Sequence, residues 1–426
     1  MSETAVAPGH PVVAPRGPRD PAVDLVKAAA LVIVVIMHAH MAGVTRDADG
    51  SVVVTNALAG HPVFAWATWA LQVMPLFFAL GGFSSYTEWC RMRAAGATAA
   101  DYLRQRANRL ARPALLPIAL VGGTLAVFTA LGYPTDVIIQ SGFMMGQPLW
   151  FLAVYLVCNA FVPLMARLHD RAPLRVLGGL LLAAVIVDTI DVTFHVPGVA
   201  TLNFVFVWLF LQQLGFFGAD GSFARLPRGV LAGGAVASYA LLFVLTTWVG
   251  YPRDMYENLN PATSCIVVLG VGQFFLVWLL RPWITRHAGP RVMRVANTTN
   301  ANSLVIYLWH VPILVLVALV MLGLQLPMPE PLSGAWWATR APYIAVALIV
   351  LVGVVALVNL WRRRFPVWKP ANTPLALGVA KTLLAVAGVV GILLAGYTPW
   401  WHWAISLGLI AASAALEPWW RERTRV

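Results

Sequence analysis

Asp24-Leu-Val-Lys27-Ala-Ala-Ala-Leu31-Val-Ile-Val-Val-Ile-Met-His38 is an apolar run with a carboxylate and an ammonium at one end and an imidazole at the other. Its length and apolarity are those of a helix that crosses a bilayer. On an α-helix the step from Lys27 to His38 is about three turns, which places both within roughly 20° of one face and about 16 Å apart along the axis. That rise is half a hydrocarbon core. Asp24 and Lys27 stand at the helical i,i+3 spacing, so Asp24, Lys27 and His38 form one polar stripe on a cylinder otherwise fit for lipid. Ionisable groups inside a span are costly and mark function. The plainer alternatives are an interfacial Asp24–Lys27 pair with the lysine reaching for headgroups, and a packed, hydrogen-bonded His38. His40 points roughly 200° away around the helix and reads as a bystander near the outer surface.

The same apolar character holds along the whole chain. Of 426 residues 60% are hydrophobic and 11% charged, with a mean hydropathy of +0.76. A soluble domain of this size cannot carry that surface, so the sequence predicts an all-α polytopic membrane protein. The net charge of +12 does not require nucleic acid, because the cations are almost all arginines in short loops between apolar runs. Cys90, Cys158 and Cys265 lie far apart and read as small core residues, with neither a disulfide framework nor a metal site.

Residues 1–22 are rich in Pro, Gly and Ala without hydrophobic period and read as a flexible cytoplasmic tail. About twelve apolar runs follow, centred near Val34, Leu71, Gly122, Tyr155, Leu182, Phe210, Ala240, Val271, Leu314, Leu348, Val386 and Leu407. Loops after even-numbered runs carry the arginines, among them Arg91, Arg93, Arg104, Arg106, Arg109 and Arg112, then Arg167, Arg171 and Arg175, Arg225 and Arg228, Arg281, Arg286, Arg291 and Arg294, and Arg362, Arg363, Arg364 and Lys369. The opposite loops hold Asp47, Asp49, Asp136, Asp191, Asp254, Glu257 and Glu330. This asymmetry predicts both termini in the cytoplasm, Lys27 near the cytoplasmic mouth and His38 deep in the bilayer or toward its outer half. The Trp400, Trp401, Trp403 cluster and the Trp419-Trp420 pair read as interfacial anchors. No repeat, soluble domain or strand-rich region is evident.

Histidine takes and returns a proton near neutrality, so a neutral His38 in a dry site suits deprotonation of a hydroxyl that attacks a thioester. Further along, Ser303, Tyr307 and His310 share a helix face within about 60° and read either as a site for orienting an acceptor or stabilising an oxyanion, or as a structural polar cluster. Trp150 and Phe151 open the fourth run as anchors or as an acceptor platform. Asp188 and Asp191 lie near the outer end of the fifth, where a carboxylate would orient His38, bind sugar hydroxyls or simply face an outer loop. No HExxH, GxSxG or phosphate loop occurs.

The stretch from Arg19 through Asp24, Lys27 and His38 resembles the opening signature of the acyltransferase-3 family of integral membrane acyltransferases. Four more resemblances follow in the family's order. They are Pro75-Leu-Phe-Phe-Ala-Leu-Gly-Gly82-Phe83, the basic stretch Tyr102-Leu-Arg-Gln-Arg106-Ala-Asn-Arg109-Leu-Ala-Arg112-Pro113, Leu149-Trp150-Phe151-Leu152, and Ser303-Leu-Val-Ile-Tyr307-Leu-Trp-His310-Val-Pro312. The resemblance covers residue 19 to about 360, around ten spans. It implies a core at 23–361 and a C-terminal pair of helices with a short cytoplasmic tail at 362–426, to which no chemistry is assigned.

The resemblance implies acyl transfer, commonly of acetyl from acetyl-CoA, to a hydroxyl of a sugar, glycolipid, cell-envelope glycan or secondary metabolite in the inner membrane. Acyl-CoA is then a co-substrate, and no tightly bound cofactor is expected. The position matching His38 is the family's presumed catalytic residue, and the one matching Lys27 is tied to the donor. A CoA thioester is polyanionic at one end and reactive at the other, so Lys27 with Arg106, Arg109 and Arg112 as phosphate ligands suits it. The arginine trio recurs every three residues and forms a ridge if helical; its alternative role is only to set topology. Tyr307 and His310 join His38 as catalytic candidates, and Trp150 and Asp188 as acceptor contacts. Asp24, Gly82, Phe83 and Ser303 complete the motifs. Two departures stand out: Gly81 where the family has serine, with Ser84 and Ser85 nearby, and Lys27 where arginine is commoner. The rival class is a secondary transporter using buried Lys27, His38 and Asp188, but the paired halves such proteins often show are not evident here.

Overall fold

In the lipid core a backbone has no water to bond to, so each apolar run must close its hydrogen bonds on itself, and the runs do so as helices. The computed structural model describes residues 20–46, 52–362 and 373–416. Its elements run α1 (Pro21–Met41), β1 (Ala42–Arg46), β2 (Val52–Asn56), α2 (Pro62–Leu71), α3 (Met74–Ala94), α4 (Ala99–Ala130), α5 (Thr135–Gly146), α6 (Leu149–Arg171), α7 (Pro173–Phe194), α8 (Asn203–Ala219) and α9 (Arg228–Val244). They continue as α10 (Ser264–His287), α11 (Pro290–Ala301), α12 (Ser303–Gly323), α13 (Gly334–Arg362), α14 (Leu375–Ala395) and α15 (Trp400–Ala415). Eleven stretches of the described residues are long and apolar enough to span a bilayer. The chain is an all-α multi-pass membrane protein. α15, with 16 residues, is the expected twelfth run and too short for a full crossing, since each residue rises about 1.5 Å.

One expected span, the second, is broken, and the fourth is preceded by a separate short helix; proline explains both interruptions. Pro75 and Pro148 have no amide hydrogen to give the carbonyl one turn back, and their rings crowd it, although Met74 and Gln147 before them keep helical geometry. The chain therefore breaks at Gln72-Val73, between α2 and α3, and at Gln147-Pro148, between α5 and α6. Carbonyls at the breaks find side-chain partners: the Gln72 carbonyl accepts from Gln273 Nε2 at 2.9 Å, and the Pro148 carbonyl accepts from the Tyr307 hydroxyl at 2.6 Å as well as from the Phe151 amide at 3.2 Å. Irregular backbone at membrane depth survives only when buried in this way.

One element differs from the helical expectation. β1 and β2 form an antiparallel hairpin with Ala42 opposite Asn56 and Arg46 opposite Val52. The β-branched run Val52-Val-Val-Thr55 favours a strand, and in a short loop of a helical membrane protein it is easily passed over. Of the tail expected at residues 1–22, Asp20 caps α1 and Pro21 and Ala22 already belong to it, because the Asp20 carboxylate and Pro21 start the helix there. Residues 1–19, the acidic pair Asp47 and Asp49, the cations Arg363, Arg364 and Lys369, and Trp419-Trp420 lie outside the described residues.

The start of α1 is fixed by capping. Asp20 Oδ1 accepts from the amides of Ala22 at 3.0 Å and Val23 at 3.2 Å, Pro21 occupies the first helical position, and Asp20 Oδ2 pairs with Arg281 Nε at 2.8 Å. α1 thus runs among α3, α10, α11 and α12 with its head tied to the end of α10.

α3 and α8 approach so closely that a Cβ on Gly82 would run into the Gln212 carbonyl and one on Gly215 into the Ala79 carbonyl. The obstacle in each case is backbone, which cannot swing aside. Gly82→Val is accordingly expected to cost about 3 kcal/mol of stability, measured as an earlier loss of the monodisperse peak in heated, detergent-solubilised samples; an unchanged melting profile would contradict this packing. The C-terminal pair packs against α4, and α14 also against α6. Buried Lys381 donates to the Leu416 carbonyl and Arg112 to the Ala414 carbonyl at 3.2 Å, so two cations meet the carbonyl end of α15, the end that favours positive charge.

Candidate active site

His38 lies in the last turn of α1. Its Nδ1 is 2.8 Å from the Val34 carbonyl and 3.4 Å from Nε2 of His310. His310, on α12, is 1% exposed, and its own Nδ1 is 2.6 Å from the Tyr307 carbonyl. A carbonyl only accepts, so this network assigns a hydrogen to Nδ1 of both rings. His310 Nε2 then turns a lone pair toward the His38 Nδ1–H, and His38 Nε2 keeps its own lone pair. The rings meet edge to face, with centroids 5.0 Å apart at 73°. His40 makes the same backbone bond, to Ile36 at 2.8 Å, but its ring neighbour is Trp337. The bond one turn back is therefore a habit of helical histidine; the second imidazole is what sets His38 apart.

Tyr307 stands one turn before His310. Its hydroxyl is engaged by Pro148, and its ring lies 4.6 Å from Phe151. Phe151 is in turn 5.3 Å from Phe77, Phe78 and Tyr155. Trp150, half-buried, leans on Trp208 at 5.4 Å and Phe204 at 6.4 Å. Ser303 is half-buried at the first residue of α12. The mid-chain and late motifs thus meet in one aromatic body beside the imidazole pair.

At the other end of the polar stripe, Lys27 Nζ donates to Ser84 Oγ at 3.0 Å. The Ser84 hydroxyl donates to the Leu80 carbonyl at 2.9 Å, which leaves its lone pairs for the ammonium. Arg106 lies 3.9 Å from Glu88 Oε2 and 5.0 Å over the Tyr102 ring. Ser84 and Glu88 are one turn apart on α3, about 6 Å along its axis, so Lys27 and Arg106 converge on one helix face. The arginine ridge does not act as a unit: Arg106 is buried, Arg109 is exposed, and Arg112 is exposed with a hydrogen bond to the end of α15. The Asp24 carbonyl accepts from Asn300 Nδ2 at 2.7 Å, and its buried Oδ2 has no hydrogen-bond partner among the described residues. At the position where serine gives way to glycine, a Cβ on Gly81 would come 3.3 Å from Tyr155 Cε2, and Ser84 is the hydroxyl that meets Lys27. Phe83 packs toward Trp278 of α10 at 6.3 Å.

Asp188 is buried away from this line. It accepts from Asn203 Nδ2 at 2.7 Å, the Tyr251 hydroxyl at 2.9 Å and the Ser264 amide at 2.8 Å, fastening α7 to α8 and to the head of α10. The groups that sequence reasoning passed over are Glu88, which gathers Arg106 and Gln105, the Val34 carbonyl, and Phe77 and Phe78. Glu88 carried a signal, as an acid among cations one turn past Ser84.

Residues 20–359 match the model of the acyltransferase-3 family, described as an acyltransferase domain. No curated protein and no solved structure matches the chain. The matched region contains the imidazole pair, the Lys27–Ser84 contact and the five sequence motifs except Arg19 of the first, and ends before α14.

Proposed function

Because the chain belongs to the acyltransferase-3 family of integral membrane acyltransferases, we propose that it transfers an acyl group, acetyl by preference, from acyl-CoA to a hydroxyl of a sugar, glycolipid, cell-envelope glycan or secondary metabolite. The observation that carries this reading is the His38–His310 pair, which supplies a base whose second nitrogen is held by two acceptors. His38 Nε2 takes the proton of the acceptor hydroxyl while its oxygen attacks the thioester carbonyl. The C–O bond forms, the C–S bond breaks, and the leaving thiolate takes the proton back as free CoA thiol. Between these events His38 is an imidazolium, and Nδ1–H faces both the Val34 carbonyl and the His310 lone pair. His310 has both nitrogens engaged, so it positions the base, and Tyr307 builds the wall beside it.

The donor is read as entering from the cytoplasmic side of the inner membrane, with Lys27 and Arg106 nearest its phosphates and exposed Arg109 and Arg112 contributing charge around the mouth. Trp150 offers a partly open ring for a sugar face, and Asp188 supports the loop between α9 and α10. Incubating membranes that hold the protein with radiolabelled acetyl-CoA tests the reading: label moves to lipid or glycan as free CoA thiol appears. Uptake or efflux of solute without any transfer of label would contradict it.

Lys27→Met is expected to raise the KM for the acyl donor roughly tenfold to a hundredfold, the scale of a lost charge-assisted hydrogen bond, with kcat little changed. Lys27→Arg keeps the charge and retains most of the affinity. Donor titrations at saturating acceptor read this directly, and an unchanged KM in Lys27→Met would remove the lysine from donor handling.

A further inference from the structure

Apart from the imidazole site, a cavity of about 280 Å³ opens between the start of α9 and the end of α10, where Arg228, Arg281 and Arg286 line it together with Leu231, Trp278 and Leu279. Arg281 has its Nε on Asp20 Oδ2 and its guanidinium 4.9 Å over the Trp278 ring. Arg228 and Arg286 are exposed, and among the described residues no carboxylate lies within ion-pair distance of either. Among the described residues the two exposed guanidinium groups of the cavity thus have no carboxylate partner, and Arg286 Nε donates to the Pro282 carbonyl at 3.3 Å. Arginine at the ends of spans is ordinary in membrane proteins, but that tendency sets only the sign of the charge and does not gather three guanidinium groups around one apolar-floored hollow.

The surroundings indicate what would fill it. Leu231 and Leu279 belong to candidate spanning helices, and neighbouring apolar side chains are exposed, Leu280 by 47%, Val230 by 50% and Trp283 by 54%. A ligand here has its anionic part among arginines and its continuation along the exposed apolar side chains of Val230, Leu280 and Trp283. We propose that this cavity binds the headgroup of an anionic phospholipid from the surrounding leaflet. Arg228 and Arg286 take phosphate oxygens, and Arg281 links the lipid to Asp20 at the head of α1. With two charges to neutralise, headgroups carrying two negative charges bind better than those with one, and zwitterionic lipids bind least.

The full-length chain, purified, delipidated and placed in mixed nanodiscs of phosphatidylcholine with either phosphatidylglycerol or phosphatidic acid, can be examined for lipids that remain bound by native mass spectrometry. The expected result is at least tenfold enrichment of the anionic lipid over phosphatidylcholine, phosphatidic acid ahead of phosphatidylglycerol, lost in Arg228→Gln/Arg286→Gln. Both positions are exposed, and Arg228→Gln alone shifts retention in the same direction with an unchanged melting profile. Arg171→Gln/Arg175→Gln, a pair of exposed cations elsewhere, leaves retention unchanged. Equal loss in that control pair reduces the effect to general surface charge and overturns the site. Displacement of the lipid by millimolar inorganic phosphate or acetyl-CoA assigns the cavity to soluble phosphates and overturns it as a lipid site. Because the readout is bound lipid, it stands or falls independently of acyl transfer.

Discussion

His38→Ala is expected to lower acyl transfer from acetyl-CoA by about 10²–10⁴-fold, the range contributed by a general base, with protein level and thermal stability retained. The side chain makes one backbone bond within its own helix and one contact with His310, so its removal takes away chemistry more than packing. His40→Ala is the matched control. It stands two residues on in the same helix turn and makes the same bond one turn back, but faces Trp337 and no second imidazole. Transfer in His40→Ala should remain within a few-fold of wild type. Full activity in His38→Ala, measured by label reaching the acceptor, would sink the mechanism.

The second large effect falls on His310. His310→Leu removes the lone pair that faces His38 Nδ1–H, and the expected loss is about 10–100-fold in kcat, the scale seen when a partner that orients a catalytic or ligating imidazole is removed. The KM for the donor should change little, because the cations at the far end of α1 are untouched. His310→Gln offers a carbonyl oxygen near the place of Nε2 and should recover part of the lost rate. A merely structural His310 predicts a different pattern, with both variants impaired in proportion to their loss of stability. Rates and melting profiles measured on the same preparations separate the two.

Much of this site was legible in the sequence because helical geometry alone fixes it. Asp24, Lys27 and His38 lie on one stripe whatever surrounds them, and Ser303, Tyr307 and His310 on another. What spacing does not specify is how two stripes 272 residues apart meet, since apolar runs of Val, Leu and Ala pack in many ways. The arginine trio shows the converse. Its period of three is that of a helical ridge, but three residues fall short of a full turn, and the ridge drifts from the buried face at Arg106 to the exposed face at Arg109 and Arg112.

The breaks before α3 and α6 follow from Pro75 and Pro148 and were open to reading, although their satisfaction by Gln273 and Tyr307 was not. The hairpin after α1 rests on a short β-branched run that a helical context hides. The last two helices, outside the family match, pack against α4 and engage Arg112, a residue that the resemblance offered as a donor ligand.

In the proposed mechanism α1 is directional, with the donor's phosphates at the Lys27 end and acyl transfer at the His38 end. Proteoliposomes of the purified chain, sorted by protease access to the N-terminal segment, test this when acetyl-CoA is confined to one side and labelled acetyl is followed to the acceptor. Transfer is predicted only with donor on the side where α1 begins, and to be lost in His38→Ala. Equal transfer with donor on either side, or transfer that survives in His38→Ala, would contradict it.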